Sequence, residues 1–294
     1  MSFFLFWGLA AAVTWGTADF CAKKAASAVG FWATVWGMNS VGALMMSLLW
    51  ALGAIPLHAA QLPRLLLLGA GNTVGGVCFY YALEHGPLVL ISPITAAYPV
   101  VSAVLAYFIS GERLGPAVAV AVGGVIAGTL LASLGDPPAP IPPAADTPLA
   151  AGEAAAAHRA RATLAAVAGA FIFGAVFFGL AAVAGANAVT APVLVFRLTA
   201  TALLAAPLLW GARLPPHAFR CGWIWATGVL DSAAYLLYAV GARHLPISVI
   251  TSLAGLFSVW TLVLAVLFLR ERLRPRQWFG VALILGAIAT LALK

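Results

Sequence analysis

Glu112-Arg113-Leu114-Gly115-Pro116 and Glu271-Arg272-Leu273-Arg274-Pro275 are the two stretches on which the reading of this chain turns. They stand 159 positions apart (112 to 271), each between two long apolar runs. The same displacement lays Pro87 on Pro246, Ile91 on Ile250, Val100 on Val259, and Val104-Leu105-Ala106 on Val263-Leu264-Ala265. It also lays Asn72 on Asp231 and Phe79 on Tyr238, and a shift one shorter lays Trp15-Gly16 on Phe173-Gly174. Alanine and valine coincidences carry little weight in so apolar a chain. A shared Glu-Arg-Leu-x-Pro at the same place relative to two apolar runs carries much more, and it marks an internal repeat.

The surroundings of these motifs set the solvent. Of 294 residues, 64% are hydrophobic and 8% charged, and the mean hydropathy is +1.05. A water-facing domain carries roughly 25% charged residues, so disorder, coiled coil and an ordinary soluble enzyme are excluded. The 15 basic residues against 8 acidic ones give a formal charge of +7. They sit between apolar runs, which points to orientation in a membrane and not to nucleic acid. Cys21, Cys78 and Cys221 form no CxxC pair, and no histidine has a metal-ligand partner at helical spacing, so neither a disulfide framework nor a metal site is expected. No cofactor is expected either: no glycine-rich phosphate loop follows a strand. The N-terminus lacks a basic leader and runs straight into an apolar segment, which reads as a first span and not as a cleaved signal.

About 20 apolar residues cross a bilayer as a helix. Breakers such as Lys23-Lys24, Pro56, Gly86-Pro87, Gly115-Pro116 and Pro215-Pro216 cut the sequence into ten such segments. These are roughly 3–22, 31–52, 64–84, 88–110, 115–134, 161–183, 187–210, 220–242, 246–269 and 274–293. The runs are apolar on all faces, so β-barrel strands fit poorly. A proline- and alanine-rich stretch, 135–160, reads as an extended linker at the membrane surface. It separates a first unit, 1–134, from a second, 161–294. Five spans in each unit is an odd number, so the copies enter the membrane in opposite directions. The expected fold is an all-α membrane protein of ten transmembrane helices in two inverted five-helix repeats, an architecture that binds substrate near the midplane between the halves.

Ten spans, the five-plus-five repeat, Trp15-Gly16 in the first span and Glu-Arg-Leu after the fourth span of each half resemble the drug/metabolite transporter superfamily, EamA type. Within it the aromatic spans are most similar to the bacterial aromatic amino-acid exporters of the YddG group. The resemblance covers the whole chain apart from the linker. It implies a multi-pass carrier of the bacterial inner membrane that exports small metabolites.

Several residues could carry function. Arg197 lies mid-span in the seventh segment and Asp231 mid-span in the eighth. A charge at that depth costs about 2.5–3.5 kcal/mol on insertion scales, so each needs a partner. They either meet the ends of a zwitterionic substrate or pair with each other structurally. Asp19 follows Trp15 by one helical turn and precedes Lys23 by another. It reads as a gating or cation-sensing carboxylate, or as a salt-bridge partner of Lys23. Asn72 and Phe79 share a face of span three, and Asp231, Tyr235 and Tyr238 share a face of span eight. The repeat sets these stripes opposite each other as cavity walls, with ordinary helix packing as the alternative. Tyr98 and Ser102 share a face of span four, where Pro93 and Pro99 free backbone carbonyls and allow a bend, moving or static. Glu84 joins Asp231 as a candidate titrating group for ion coupling.

Amino acids, aromatic ones first, are the expected substrate, with a drug or nucleotide-sugar carrier and a non-translocating membrane sensor as alternatives. The partners expected are that substrate and the lipid bilayer. A monomer is expected, with the small-residue face around Gly123-Gly124 as a dimer alternative. Orientation divides the evidence. With the N-terminus inside, Arg64, Arg113, Arg243 and Lys294 would be cytoplasmic and ten other basic residues external. The positive-inside rule therefore favours external termini, whereas the family resemblance implies internal ones.

Overall fold

The computed structural model describes residues 2–53, 59–85, 94–95, 97–133, 149–186, 189–206, 218–269 and 275–292. No strand occurs among them. The helices are α1 (Ser2–Val29), α2 (Phe31–Ala51), α3 (Leu62–His85), α4 (Tyr98–Ile109), α5 (Pro116–Ser133), α6 (Leu149–Ala186), α7 (Thr190–Leu204), α8 (Gly222–Gly241), α9 (Ile247–Ala254), α10 (Phe257–Leu269) and α11 (Pro275–Ala292). Each of the ten expected spans holds at least one of them; the ninth is divided into α9 and α10, and of the fourth only 94–95 and 97–110 are described.

Three boundaries differ from expectation, each for a local reason. Helix α1 runs past Lys23-Lys24 to Val29 and stops at Gly30, whose φ of 86° suits only a residue without a side chain. Lysines near a span end extend to the polar boundary and do not break a helix. Helix α6 begins at Leu149, inside the expected linker, because Leu-Ala-Ala-Gly-Glu-Ala-Ala-Ala-Ala is a strong helix former. The rest of that linker, 135–148, lies outside the described residues. Pro99 does not kink a continuous span four; it occupies the first turn of α4, where a missing N–H costs nothing. Pro93 lies outside the described residues, as does the side chain of Glu84.

Helix packing follows the repeat. Helix α1 packs on α8 as α6 packs on α3. Helix α2 packs on α8 as α7 packs on α3, and α1 meets α9 and α10 as α6 meets α4. The pairs α2–α7 and α5–α11 map onto themselves. Exchanging the two halves thus carries these principal pairs onto one another, as a pseudo-twofold axis does. The detail holds to single residues. A Cβ at Gly16 would sit 2.7 Å from the Phe257 carbonyl oxygen, and one at Gly174 would sit 2.8 Å from the Tyr98 carbonyl oxygen. Gly16 matches Gly174, and Phe257 matches Tyr98. Close backbone approach through small residues is how helices associate in lipid, where apolar burial gives little.

The polarity is inverted relative to a soluble protein. Outward-facing positions include Leu67, Phe108, Val120, Phe171 and Leu285, all exposed. The interior holds Arg197, Asn39, Ser102, Ser232, Thr251 and Ser252, all buried. An apolar exterior around polar internal groups is the arrangement of a multi-pass membrane protein.

Candidate functional site

The fourth span of each repeat is discontinuous at matching positions. Helix α4 starts at Tyr98, and α10 starts at Phe257 after a turn at Gly255-Leu256. Both residues face a cavity between the halves. The space between its wall atoms, open solvent at the mouth included, is about 870 Å³. Its wall draws on both repeats. Trp15 and Asp19 come from α1, Met38 and Asn39 from α2, and Asn72, Gly76 and Phe79 from α3. Phe173 and Phe177 come from α6, Arg197 from α7, and Asp231 and Tyr235 from α8.

Charge at this depth is internally matched. Arg197 Nη2 lies 2.7 Å from Asp231 Oδ2, with the two side chains 2% and 13% exposed. That approach is off the N–H direction, so it acts as an ion pair and not as an aligned hydrogen bond. Arg197 Nη1 donates to Asn39 Oδ1 at 3.0 Å, and Trp15 Nε1 donates to Asp231 Oδ1 at 2.9 Å. The guanidinium also lies over the Tyr235 ring, 5.0 Å from its centroid. One network therefore ties α1, α2, α7 and α8 together. Tyr235 reaches across to the first repeat and donates to Asn72 Oδ1 at 2.6 Å. It can do so because its repeat partner is Gly76, beside which there is open space.

The aromatic rings are packed on one another. Trp15 lies edge-on to Phe177 and Tyr235, with centroids 5.3 and 5.0 Å away. Tyr98 lies 5.0 Å from Phe177, and Phe177 stacks on Tyr235 at 5.8 Å. Such pairs hold ring positions firmly.

The lining residues occupy the end of the bundle where α1 finishes and α2 begins. The other end, which carries the chain termini, is closed. Tyr238 donates to the Phe177 carbonyl at 2.9 Å and sits 2.8 Å from Thr251 Oγ1, which lies 3.2 Å from Ser102 Oγ. Farther out, the Glu112 carboxylate caps the first turn of α9. It accepts from the Ile247 N–H at 2.7 Å, from the Ser248 N–H at 3.2 Å and from the Ser248 hydroxyl. The first Glu-Arg-Leu copy thus fastens its half to a helix start of the other; the second, 271–273, lies outside the described residues.

The family model for EamA-like transporters matches residues 2–134 and again 160–293. The chain belongs to the EamA-like transporter family. As such it is a multi-pass membrane transporter of the drug/metabolite superfamily and not an enzyme. One similar solved structure, described only as a crystal structure of a protein, is 19% identical, with a TM-score of 0.75. It covers 99% of this chain and 98% of its own, and it shares the fold. No curated protein matches.

In this transporter, Trp15, Asp19, Asn72, Phe79, Tyr98, Arg197, Asp231 and Tyr235 line one cavity. Tyr238 and Ser102 do not. They are fully buried in the closed end, their hydroxyls taken up by Phe177 and Thr251. Pro99 is buried against Gly255 and is not a cavity residue. Asp19 makes no salt bridge with Lys23. That lysine points outward and is exposed, while Asp19 faces the cavity. Asn39, Phe177 and Phe257 escaped the sequence reading. A lone amide mid-span two would have flagged Asn39; Phe177 carries no signal among the other phenylalanines.

Proposed function

We propose that this transporter is a secondary carrier that exports amino acids, aromatic and other neutral ones, across the bacterial inner membrane by alternating access around the midplane cavity. The observation that carries the reading is the cavity itself: an aromatic-walled space at two matched helix breaks, with carboxylates at Asp19 and Asp231 and a guanidinium at Arg197. Broken helices at an inverted-repeat interface are where carriers of this kind hold substrate. Flat rings suit an aromatic side chain, and the carboxylates suit an ammonium group.

The closed end supports the same cycle. Opening it requires releasing Ser102 from Thr251 and Glu112 from α9, contacts that join the two halves. A nucleotide-sugar carrier is less well supported, because a phosphate needs unmatched cations and Arg197 is already paired with Asp231.

Counterflow of labelled phenylalanine, tryptophan and leucine into proteoliposomes holding the purified chain tests the proposal. Exchange that saturates and is lost on Gly76→Phe is expected. Binding of these amino acids without translocation would instead favour the sensor.

A further inference from the structure

Three charged side chains line the cavity among the described residues, Asp19, Arg197 and Asp231. The last two neutralise each other. Both Asp231 oxygens are occupied, one by the Arg197 guanidinium and one by the Trp15 indole N–H. Asp19 has no hydrogen bond or ion pair to any described residue and faces the cavity. The Tyr98 hydroxyl is likewise buried without a partner, on a residue 3% exposed. It lines the same cavity as Asp19. A carboxylate and a hydroxyl able to accept stand free, while the charge of the one guanidinium in the wall is matched by Asp231.

We infer that the cavity recognises its substrate by an ammonium group held at Asp19 with Tyr98, so that an aromatic amine lacking any carboxylate is a ligand of the same site. The inference rests on the carrier reading above and adds which end of the molecule is read. With Asp19 ionised, the described wall carries −1, which one ammonium balances and a zwitterion does not. A desolvated carboxylate without a counter-charge is costly, and an arriving ammonium removes that cost. A carboxylate brought in as well would face Asp19 and Asp231 with no unpaired cation in the described wall. The ring of the ligand then lies among the aromatic residues of the wall.

The test is calorimetric titration of the purified full-length chain with three probes of one skeleton: 2-phenylethylamine, L-phenylalanine and 3-phenylpropionate. The amine should bind at least as tightly as the amino acid, and the acid about tenfold more weakly or worse, as loss of a charge-assisted bond implies. Asp19→Asn should weaken the amine by about tenfold or more, with helix content and melting unchanged, and Asp19→Glu should restore most of it. Tyr98→Phe should weaken it less. The inference falls if the acid binds as tightly as phenylalanine, if none of the probes binds, or if Asp19→Asn alters all three equally. Phenylalanine counterflow is measured in parallel. If the binding order holds without exchange, the carrier reading fails and the ammonium rule stands; if exchange occurs with the order reversed, the rule alone fails.

Discussion

Breaking the Arg197–Asp231 pair from one side should cost far more than neutralising both sides together. Arg197 is 2% exposed and Asp231 13%, so neither side chain has bulk water to fall back on. Removing one member of a buried pair costs about 3–5 kcal/mol, because the other charge is left uncompensated. The exposures rank the single variants. Asp231→Asn strands the more deeply buried guanidinium and should be the worse. Arg197→Gln strands a carboxylate that keeps the Trp15 N–H and a little cavity water. The double variant Arg197→Gln/Asp231→Asn removes both charges. It keeps an amide able to donate to Asn39 and an acceptor for Trp15, so it should lie within about 1–2 kcal/mol of the parent. The cycle then gives a coupling of roughly 3 kcal/mol or more. At about 2–4 °C per kcal/mol, each single variant melts on the order of 6–20 °C lower. Melting of the detergent-purified protein by size-exclusion fluorescence measures this. Additive single effects, with no recovery in the double variant, would refute the network as drawn. Counterflow on the double variant then separates the roles: transport retained means the pair is scaffold, and transport lost with stability restored means it touches substrate.

Gly76→Phe should leave abundance and melting unchanged, since a Cβ there meets nothing within 4 Å, yet abolish counterflow by filling the cavity; persistent transport would relocate the site. Glu112→Gln removes charge-assisted bonds worth about 1.5–3 kcal/mol each, so a cysteine at Ser252, in a chain lacking its native cysteines, should react at least tenfold faster from the terminal side. Unchanged labelling there would mean that the α9 cap does not hold the closed end. Gly16→Ala places a Cβ 2.7 Å from the Phe257 carbonyl oxygen and should cost about 1–3 kcal/mol through separation of α1 and α10, read as lower membrane abundance. A C-terminal reporter fusion should report the face opposite the cavity mouth.

The architecture was legible because its causes are local and repeated. Apolar length fixed the spans, and Glu112-Arg113-Leu114 against Glu271-Arg272-Leu273 exposed the repeat. The charged network was legible for a different reason. An intramembrane Arg197 must find a partner, and Asp231 was the carboxylate at its depth on the next span. What failed depended on tertiary detail. Whether Tyr238 faces substrate or the Phe177 carbonyl is decided by a rotation of α8 that spacing alone does not give. Asp19 and Lys23 stand at salt-bridge spacing on one helix, but the cavity on one side and the polar boundary on the other draw them apart. The break before Phe257 left only Gly255 as a trace, a residue common throughout the chain.

The cavity also shows where the two repeats had to stop being alike. Its wall is built from repeat-related pairs: Trp15 with Phe173, Met38 with Arg197, Asn72 with Asp231, Gly76 with Tyr235, Tyr98 with Phe257. In the first two the polar or charged member lies in one repeat only, in the third an amide stands where the other repeat has a carboxylate, and in the fourth a ring faces an empty position. A strictly symmetric site would place two guanidiniums and two carboxylates about one axis, each with a full desolvation cost. Divergence leaves one matched pair and one open quadrant beside Gly76. In the proposed cycle, alternation between closed ends needs only that the helix contacts be exchangeable, and the shared glycine approaches at Gly16 and Gly174 are of that kind. Symmetry therefore resides in the backbone packing, and asymmetry in the side chains of the cavity wall.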